Sequence, residues 1–260
     1  MNPIECIEEA QRQLGLNADG DPGPQTRAAV AAWRAAHRAP EPAPVPAAPP
    51  AARPSPGAIV IGDDHWLVGV DRVPLPPNGP LNARFVVEHF TGGAGGASSI
   101  EAMRERGVSA HVVVERDGTI TQCVPFNRVA YHAGQSAWRD PQTRELFVGA
   151  NISSIGIEIA NGGDDGPGAI AWARNHVPGF ASIRAVHRNG GPNSEWECFY
   201  DAQIAAVTAL TQALVKRYGL RDVTGHDCIA PARKNDPGPA FPMQQIREAC
   251  GLAGLPEVFR

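Results

Sequence analysis

The residues best suited to chemistry in this sequence are two histidines and an aspartate that follow predicted strands. His89 lies near the end of the strand-like run 83–90, His226 follows a short predicted strand at 221–223, and Asp236 lies ten residues beyond His226. Two imidazoles and one carboxylate are typical of a catalytic zinc site, because they leave a fourth position for water. Prolines around Asp236 favour a rigid loop, which suits ligands that must be in place before an ion binds. From spacing alone, hydrogen-bonded structural histidines are the alternative.

The strands that must position these side chains are predicted from apolar runs. Residues 83–90, 110–124 and 154–161 are strand-like, and the second run is interpreted as a hairpin that turns at Asp117 and Gly118.

Helices are predicted from apolar stripes with helical spacing. The strongest stripe lies in DAQIAAVTALTQALVKRYG, where Asp201 can cap the start and Gly219 the end. A shorter helix is expected after Pro242. Residues 164–197 are interpreted as a long loop region that shapes the cleft. Together the elements predict an α/β fold with a central mixed β-sheet flanked by helices, plus a small N-terminal helical segment.

A segment rich in proline and alanine predicts the domain boundary. Residues 39–57 have the composition of an extended, semi-rigid linker that cannot bury a core. The preceding residues 1–38 contain two short helical patterns, barely enough for a domain, and residues 58–260 form the predicted α/β domain.

Composition excludes several classes of protein. The net charge of −4 provides no basic excess to bind nucleic acid or an anionic membrane, and no apolar run reaches the length of a membrane span. The N-terminus lacks the apolar core of a secretory signal, so we expect synthesis in the cytoplasm. The five cysteines are scattered, odd in number and without C-x-x-C spacing, which favours free thiols.

Four sequence blocks in order give the chain a family resemblance. VVEHFTGG, SAHVVVERDGTITQCVPFNRVAYHAG, SIGIEIAN and TGHDCIAPARKNDPGPAF together span roughly residues 85–241. The chain resembles the zinc-dependent N-acetylmuramoyl-L-alanine amidases, a family that includes AmpD-like recycling amidases, peptidoglycan recognition proteins and phage lysins.

The resemblance implies a set of site residues. It implies one Zn²⁺ per chain held by His89, His226 and Asp236, with Glu158 and Lys234 as catalytic residues. The chemistry agrees, because a carboxylate can move the protons of amide hydrolysis and an ammonium can stabilise the developing oxyanion. The alternatives are a strand-end carboxylate paired with an arginine, and a solvated loop lysine.

Five further residues have two interpretations each. His132 lines the substrate groove or is structural, and His111 is equally a packed histidine of the sheet. Trp138 and Trp196 stack on sugar rings or fill rim or core positions. Glu88 is a departure from the apolar residue expected in relatives, and either supports His89 or faces outward.

The N-terminal segment has a resemblance of its own. Within residues 4–37, QRQLGL, DGDPGPQT and AVAAW are similar to the peptidoglycan-binding domain found on wall hydrolases, although the third helix of that domain is missing. A simple helical hairpin is the alternative.

Three functions follow from these features. The favoured hypothesis is a wall-lytic amidase of the phage endolysin type, a monomer that cuts the amide between N-acetylmuramic acid and L-alanine after release by another route. The alternative is a cytosolic amidase that recycles soluble muropeptides. A non-catalytic muropeptide-binding module is less favoured, because such modules lose the metal ligands.

Overall fold

The computed structural model describes residues 59–165 and 169–252, together with the isolated Gln25. The chain divides into two units, Met1–Ala51 and Ala52–Arg260, and nearly all described residues belong to the second. Apart from Gln25, the predicted helical segment 1–38 and linker 39–57 lie outside the described residues, so these boundaries remain predictions.

The described residues form both helices and strands. Its helices are α1 (Gly96–Arg106), α2 (Ala169–His176), α3 (Asp201–Tyr218), α4 (His226–Ile229) and α5 (Met243–Ala249), with a 3-10 turn at Ala150–Ile152. Its strands are β1 (Asp71–Arg72), β2 (Phe85–Phe90), β3 (Val112–Val114), β4 (Ile120–Gln122), β5 (Ala137–Arg139), β6 (Leu146–Val148), β7 (Ser154–Ile159), β8 (Ser182–Val186), β9 (Asn193–Glu197) and β10 (Asp222–Gly225).

A six-stranded sheet forms the centre of the domain, in the order β1–β4–β3–β7–β2–β10. Strands β3 and β4 are antiparallel, and the other neighbouring pairs are parallel. The pairs β5–β6 and β8–β9 are separate antiparallel hairpins. The predicted mixed sheet flanked by helices is therefore confirmed.

Helix α3 covers one face of this sheet. Its buried residues Leu210 and Leu214 pack in one cluster with Val86 of β2 and Ile157 of β7. Burying each leucine side chain contributes about 1.5–3 kcal/mol. Because strand residues alternate between faces, Phe85 and Val87 belong to a different cluster on the opposite face, where His89 and Glu158 must also lie.

Local signals predicted helices α3 and α5 and every strand of the central sheet except β1. The hairpin turns at Gly118, which has a φ of 82° that only glycine adopts readily, and Gly219 ends α3 with a φ of 62°. The helix after Pro242 is α5. Asp201, however, is the first residue of α3, and the N-cap is Tyr200, whose N–H donates to the Gln203 side chain at 3.2 Å.

The prediction of a long loop at 164–197 was wrong. This stretch contains α2 and the β8–β9 hairpin. The residues of β8 are almost all exposed, while β9 buries Trp196 and Glu197 next to each other. The alternation that identifies a strand is therefore missing from the sequence.

The described cysteines are free thiols, as predicted: Cys123, Cys198, Cys228 and Cys250. Within residues 59–165 and 169–252, every helix is too short or too polar to cross a membrane.

Candidate active site

Two neighbouring parallel strands bring the histidines together. His89 is the fifth residue of β2, and His226 begins α4 directly after β10. Strand β10 pairs with β2 so that Gly225 is opposite Glu88. The two imidazoles therefore leave the sheet side by side at the carboxyl ends of their strands.

Asp236 reaches the histidines because the loop after α4 folds back. The backbone N–H of Asp227 donates to the carbonyl of Asp236 at 2.7 Å, which closes this loop on itself. Gly225 permits the close approach, since a Cβ there would lie 2.7 Å from Cδ of Pro237. The turn-rich sequence around Asp236 thus serves to return one carboxylate to the strand ends.

The predicted ligand residues form one buried cluster. Oδ2 of Asp236 lies 2.8 Å from Nδ1 of His89 and 3.1 Å from Nδ1 of His226. The candidate ligand atoms all lie within 4.8 Å of one another, and the residues are 1%, 2% and 5% exposed. The structure therefore brings His89, His226 and Asp236 together as predicted.

The hydrogen-bond partners of Nε2 indicate the tautomer of His226. Nε2 of His226 lies 3.1 Å from the carbonyl oxygen of Ala133, which can only accept a hydrogen bond. Arg233 also approaches Nε2, but its Nη2 donates to the carbonyls of Ala133 and Gln135 at 2.8 Å each. Nε2 of His226 therefore bears a proton, and in the neutral ring Nδ1 is then the nitrogen available to a cation.

This donor set fits a divalent cation. Burial, together with the neighbouring His226, lowers the pKa of His89 to about 4, although its contact with Asp236 opposes the change. Burial alone would raise the pKa of Asp236, but the contacts with the two histidines hold it well below its usual range. Two imidazoles and one carboxylate thus converge on one point, where each can offer one ligand atom to a cation.

Glu158 lies directly beside the cluster. It is opposite His89 in the β2–β7 register, on the face of the sheet away from α3. Burial and the charge of Asp236 raise its pKa to about 8, and Lys234 opposes this rise. The carboxyl of Glu158 can therefore both accept and donate a proton near neutral pH.

Lys234 lies in the loop between α4 and Asp236, and its N–H donates to the carbonyl of Ala230 at 2.9 Å. It is partly buried and shares a cleft of about 750 Å³ with Glu158 and the three clustered residues. Further lining residues include Tyr131, His132, Asn151 and Arg233. The residues predicted as catalytic thus share one cleft with the predicted ligands.

His132 also lines this cleft, with Nδ1 2.9 Å from Nε2 of His89. His111 is instead structural. Its Nδ1 accepts from the N–H of Gly156 at 3.0 Å, and its Nε2 donates to the carbonyl of Arg128 at 2.9 Å. Both ring nitrogens of His111 are therefore used within the sheet.

Both tryptophans follow the alternative of a core position and do not stack on sugar. Trp138 is 1% exposed, stacks on Phe85 with ring centroids 4.2 Å apart, and donates from Nε1 to Asp222 at 2.9 Å. Trp196 is 3% exposed, donates to the carbonyl of Ala185 at 3.0 Å, and packs over Gly238. Neither ring has a face open to a ligand.

Sequence reasoning missed an aromatic residue that lines the cleft. Tyr131 is 40% exposed and lines the cleft beside His132. Its position next to a histidine already selected, in the block YHAG, was the available signal. Asn151 was missed as well, and its side-chain oxygen accepts from the N–H groups of His132 and Ala133 at 3.0 and 2.7 Å.

Glu88 follows neither sequence interpretation. It is fully buried on the opposite face of the sheet from His89, where Oε1 accepts from the hydroxyl of Thr211 at 3.1 Å. Among the described residues, Oε2 of Glu88 has no hydrogen-bond partner.

The stretch 164–197 supports the loop that bears Asp236. Nε2 of His187 lies 3.1 Å from Oδ2 of Asp227, and the Asn235 side chain donates to Asp164 at 2.8 Å. These contacts flank two of the candidate ligands, because Asp227 follows His226 and Asn235 precedes Asp236.

Comparisons with known proteins cover this whole site. Residues 79–239 match the family described as N-acetylmuramoyl-L-alanine amidase. The chain is 32% identical over 185 residues to the 1,6-anhydro-N-acetylmuramyl-L-alanine amidase AmpD of Citrobacter freundii, covering 70% of this chain and 78% of that protein. It is also 32% identical over 207 residues to AmpD of Escherichia coli K12, covering 70% of this chain and 92% of that one.

Solved structures agree with these relatives. A crystal structure of a selenomethionine derivative of AmpD superposes with a TM-score of 0.52 and 29% identity, covering 72% of this chain and 97% of that one. AmiD of E. coli, in complex with the substrate anhydro-N-acetylmuramic acid-L-Ala-D-gamma-Glu-L-Lys, gives a TM-score of 0.50 and 27% identity, covering 76% and 67%. On its sequence and its fold, this chain belongs to the N-acetylmuramoyl-L-alanine amidase family.

Proposed function

We propose that this protein is a zinc-dependent amidase that hydrolyses the amide bond between N-acetylmuramic acid and L-alanine in soluble muropeptides. The observation that carries the proposal is the convergence of Nδ1 of His89, Nδ1 of His226 and Oδ2 of Asp236 in one cleft with Glu158 and Lys234. Zinc is the cation that best suits two imidazoles and one carboxylate.

The chemistry divides between the cation and the protein. A Zn²⁺ held by His89, His226 and Asp236 supplies Lewis acidity, which polarises a carbonyl and lowers the pKa of water. The protein must then bind the substrate, move protons and stabilise the developing charge.

Glu158 is suited to moving the protons. Its carboxyl lies beside His89 in the sheet, and its pKa is raised to about 8 by burial and by Asp236. The charge of Lys234 lowers this pKa, and a cation bound at the cluster acts in the same direction. A carboxyl with a pKa near neutrality can accept a proton from the attacking water and donate one to the departing amine.

Lys234 is suited to the oxyanion. Its ammonium lies in the same cleft, on the loop that also bears Asp236. A positive charge there stabilises the negative charge that develops on the amide oxygen, and an interaction of this type is usually among the largest contributions to catalysis.

The comparisons favour soluble muropeptides over intact wall. The AmpD relatives are named for a 1,6-anhydro-muramyl substrate, and the AmiD structure contains an anhydro-muropeptide. The wall-lytic, endolysin-type hypothesis, with action on the wall after release, has less support from these relatives. A non-catalytic binding module is disfavoured, because the candidate ligands, Glu158 and Lys234 are all present.

The experiment compares the hydrolysis of two substrates at defined zinc contents of the protein. A soluble anhydro-muropeptide and purified sacculi are each incubated with the full chain as isolated, after chelation, and after zinc is restored. We expect release of the stem peptide from the soluble substrate, its loss on chelation and its recovery with zinc. Full activity after complete metal removal would contradict the proposal, and much faster digestion of sacculi would favour the wall-lytic alternative.

Variants at carboxylates provide the matched control. Glu145 is an exposed glutamate in the β5–β6 hairpin, outside the cleft. Glu145→Gln should keep wild-type turnover, whereas Glu158→Gln should not. Equal turnover in both variants would remove Glu158 from the mechanism.

A further inference from the structure

To bind a cation through Nδ1, His89 needs a hydrogen-bond acceptor that holds the ring proton on Nε2. An imidazole binds a cation only through an unprotonated nitrogen, and the other nitrogen then bears the proton. For His226 the carbonyl of Ala133 meets this need. The outer nitrogen of His89 contacts another histidine instead, at 2.9 Å from Nδ1 of His132. Because either ring could donate, this contact alone does not fix the tautomer.

The hydrogen bonds of Ser154 indicate which nitrogen of His132, and therefore of His89, bears the proton. The hydroxyl of Ser154 lies 2.6 Å from the carbonyl oxygen of Ala150, which can only accept, so Ser154 donates to it. Oγ of Ser154 is then free to accept from Nε2 of His132, which lies 3.4 Å away. A neutral His132 with its proton on Nε2 has a bare Nδ1, which accepts from Nε2–H of His89. The ligand nitrogen of His89, Nδ1, is left without a proton.

The ring of His132 is held in this orientation from several sides. The side-chain oxygen of Asn151 accepts from its backbone N–H at 3.0 Å. The ring packs over Gly156, where any Cβ would overlap it. It meets the His89 ring edge-on, with centroids 5.1 Å apart.

We infer that Ser154 and His132 are positioning residues, which fix His89 in the tautomer that presents Nδ1 to the cation. The chain runs from the carbonyl of Ala150 through Ser154 and His132 to His89. This inference deepens the proposed function and rests on the metal role of His89. Neither residue is required to touch the reacting amide.

The test is the affinity for zinc itself, measured on the full chain by competition with a chromophoric chelator. His132→Leu removes the acceptor for Nε2–H of His89, and we expect it to weaken zinc binding by about 10–100-fold, the usual effect of losing such a partner. His132→Asn should remain within a few-fold of wild type, because its Oδ1 is as many bonds from the backbone as Nδ1 and can accept the same proton. The control His176→Leu, at an exposed position at the end of α2, should bind zinc like wild type.

The outcomes separate this inference from the proposed function. A wild-type chain that binds no zinc defeats the proposed function. A wild-type chain that binds zinc, with a folded His132→Leu of equal affinity, overturns the inference alone.

A second test uses the wild-type chain, so it does not depend on whether a His132 variant folds. Nitrogen-15 NMR of the zinc-loaded wild-type chain distinguishes the two neutral imidazole tautomers. We expect protons on Nε2 of both His132 and His89. A proton on Nδ1 of His132 would overturn the inference.

Discussion

Glu88 should give the stability of this protein an unusual dependence on pH. Its carboxyl is fully buried between β2 and α3, with one hydrogen bond from Thr211. Burial raises its pKa from 4.5 to about 8, although the contact with Thr211 opposes the rise. The folded chain therefore keeps a proton on Glu88 over a range of pH in which the unfolded chain has lost it.

The sign and size of the effect follow from proton linkage. Between pH 4.5 and about 8 the folded state binds more protons than the unfolded state, so the contribution of Glu88 to stability falls as pH rises. At about 1.4 kcal/mol per pH unit, the full change amounts to roughly 5 kcal/mol as an upper value. Glu88→Gln is always neutral and cannot lose stability in this way.

The assay is urea unfolding of wild type and Glu88→Gln from pH 5 to 9, in the presence of a chelator so that metal binding does not contribute. We expect the variant to gain several kcal/mol of stability relative to wild type as the pH rises to about 8, and little more above that pH. Contributions from other ionisable groups cancel in the difference, and Glu145→Gln controls for the loss of a surface carboxylate. A difference between Glu88→Gln and wild type that does not change with pH would refute the reasoning.

The remaining predictions concern the site and the N-terminal part. Glu158→Gln should retain zinc while kcat falls by about 10²-fold or more, as measured by metal analysis and turnover; near-normal turnover would assign the proton transfer to another group. Asp236→Ala should lose metal and activity together, because it removes a ligand, and a variant that keeps both would contradict the ligand assignment. Lys234→Met should lower kcat with zinc still bound, whereas Lys216→Met, at an exposed position of α3, should not; equal rates would leave Lys234 as a solvated charge. Deleting residues 1–57 should preserve turnover of a soluble muropeptide and reduce digestion of sacculi, since a linked wall-binding segment would raise the local enzyme concentration; equal loss on both substrates would contradict the predicted boundary.

The sequence by itself determined the parts of this protein that local patterns encode. The apolar stripe of α3, the turn at Gly118 and the end of the helix at Gly219 each depend on a few neighbouring residues. The residue types of the candidate ligands, His89, His226 and Asp236, could likewise be selected because each follows a recognisable strand or lies in a proline-rich loop.

Tertiary structure decided which of these side chains meet and what surrounds them. The contact of His89 with Asp236 joins residues 147 positions apart, and the bond from Trp138 to Asp222 joins residues 84 apart. Local sequence does not encode such contacts, so it could not show that both tryptophans are buried.

The same limit applies to the faces of the sheet and to the protons of the site. Alternation along β2 implied that Glu88 and His89 point in opposite directions, but only the packing of α3 put the Glu88 carboxyl in a closed core. The tautomer of His226 depends on a carbonyl 93 positions away. A hydrogen bond requires two groups at a defined distance and angle, and only the folded chain sets that geometry.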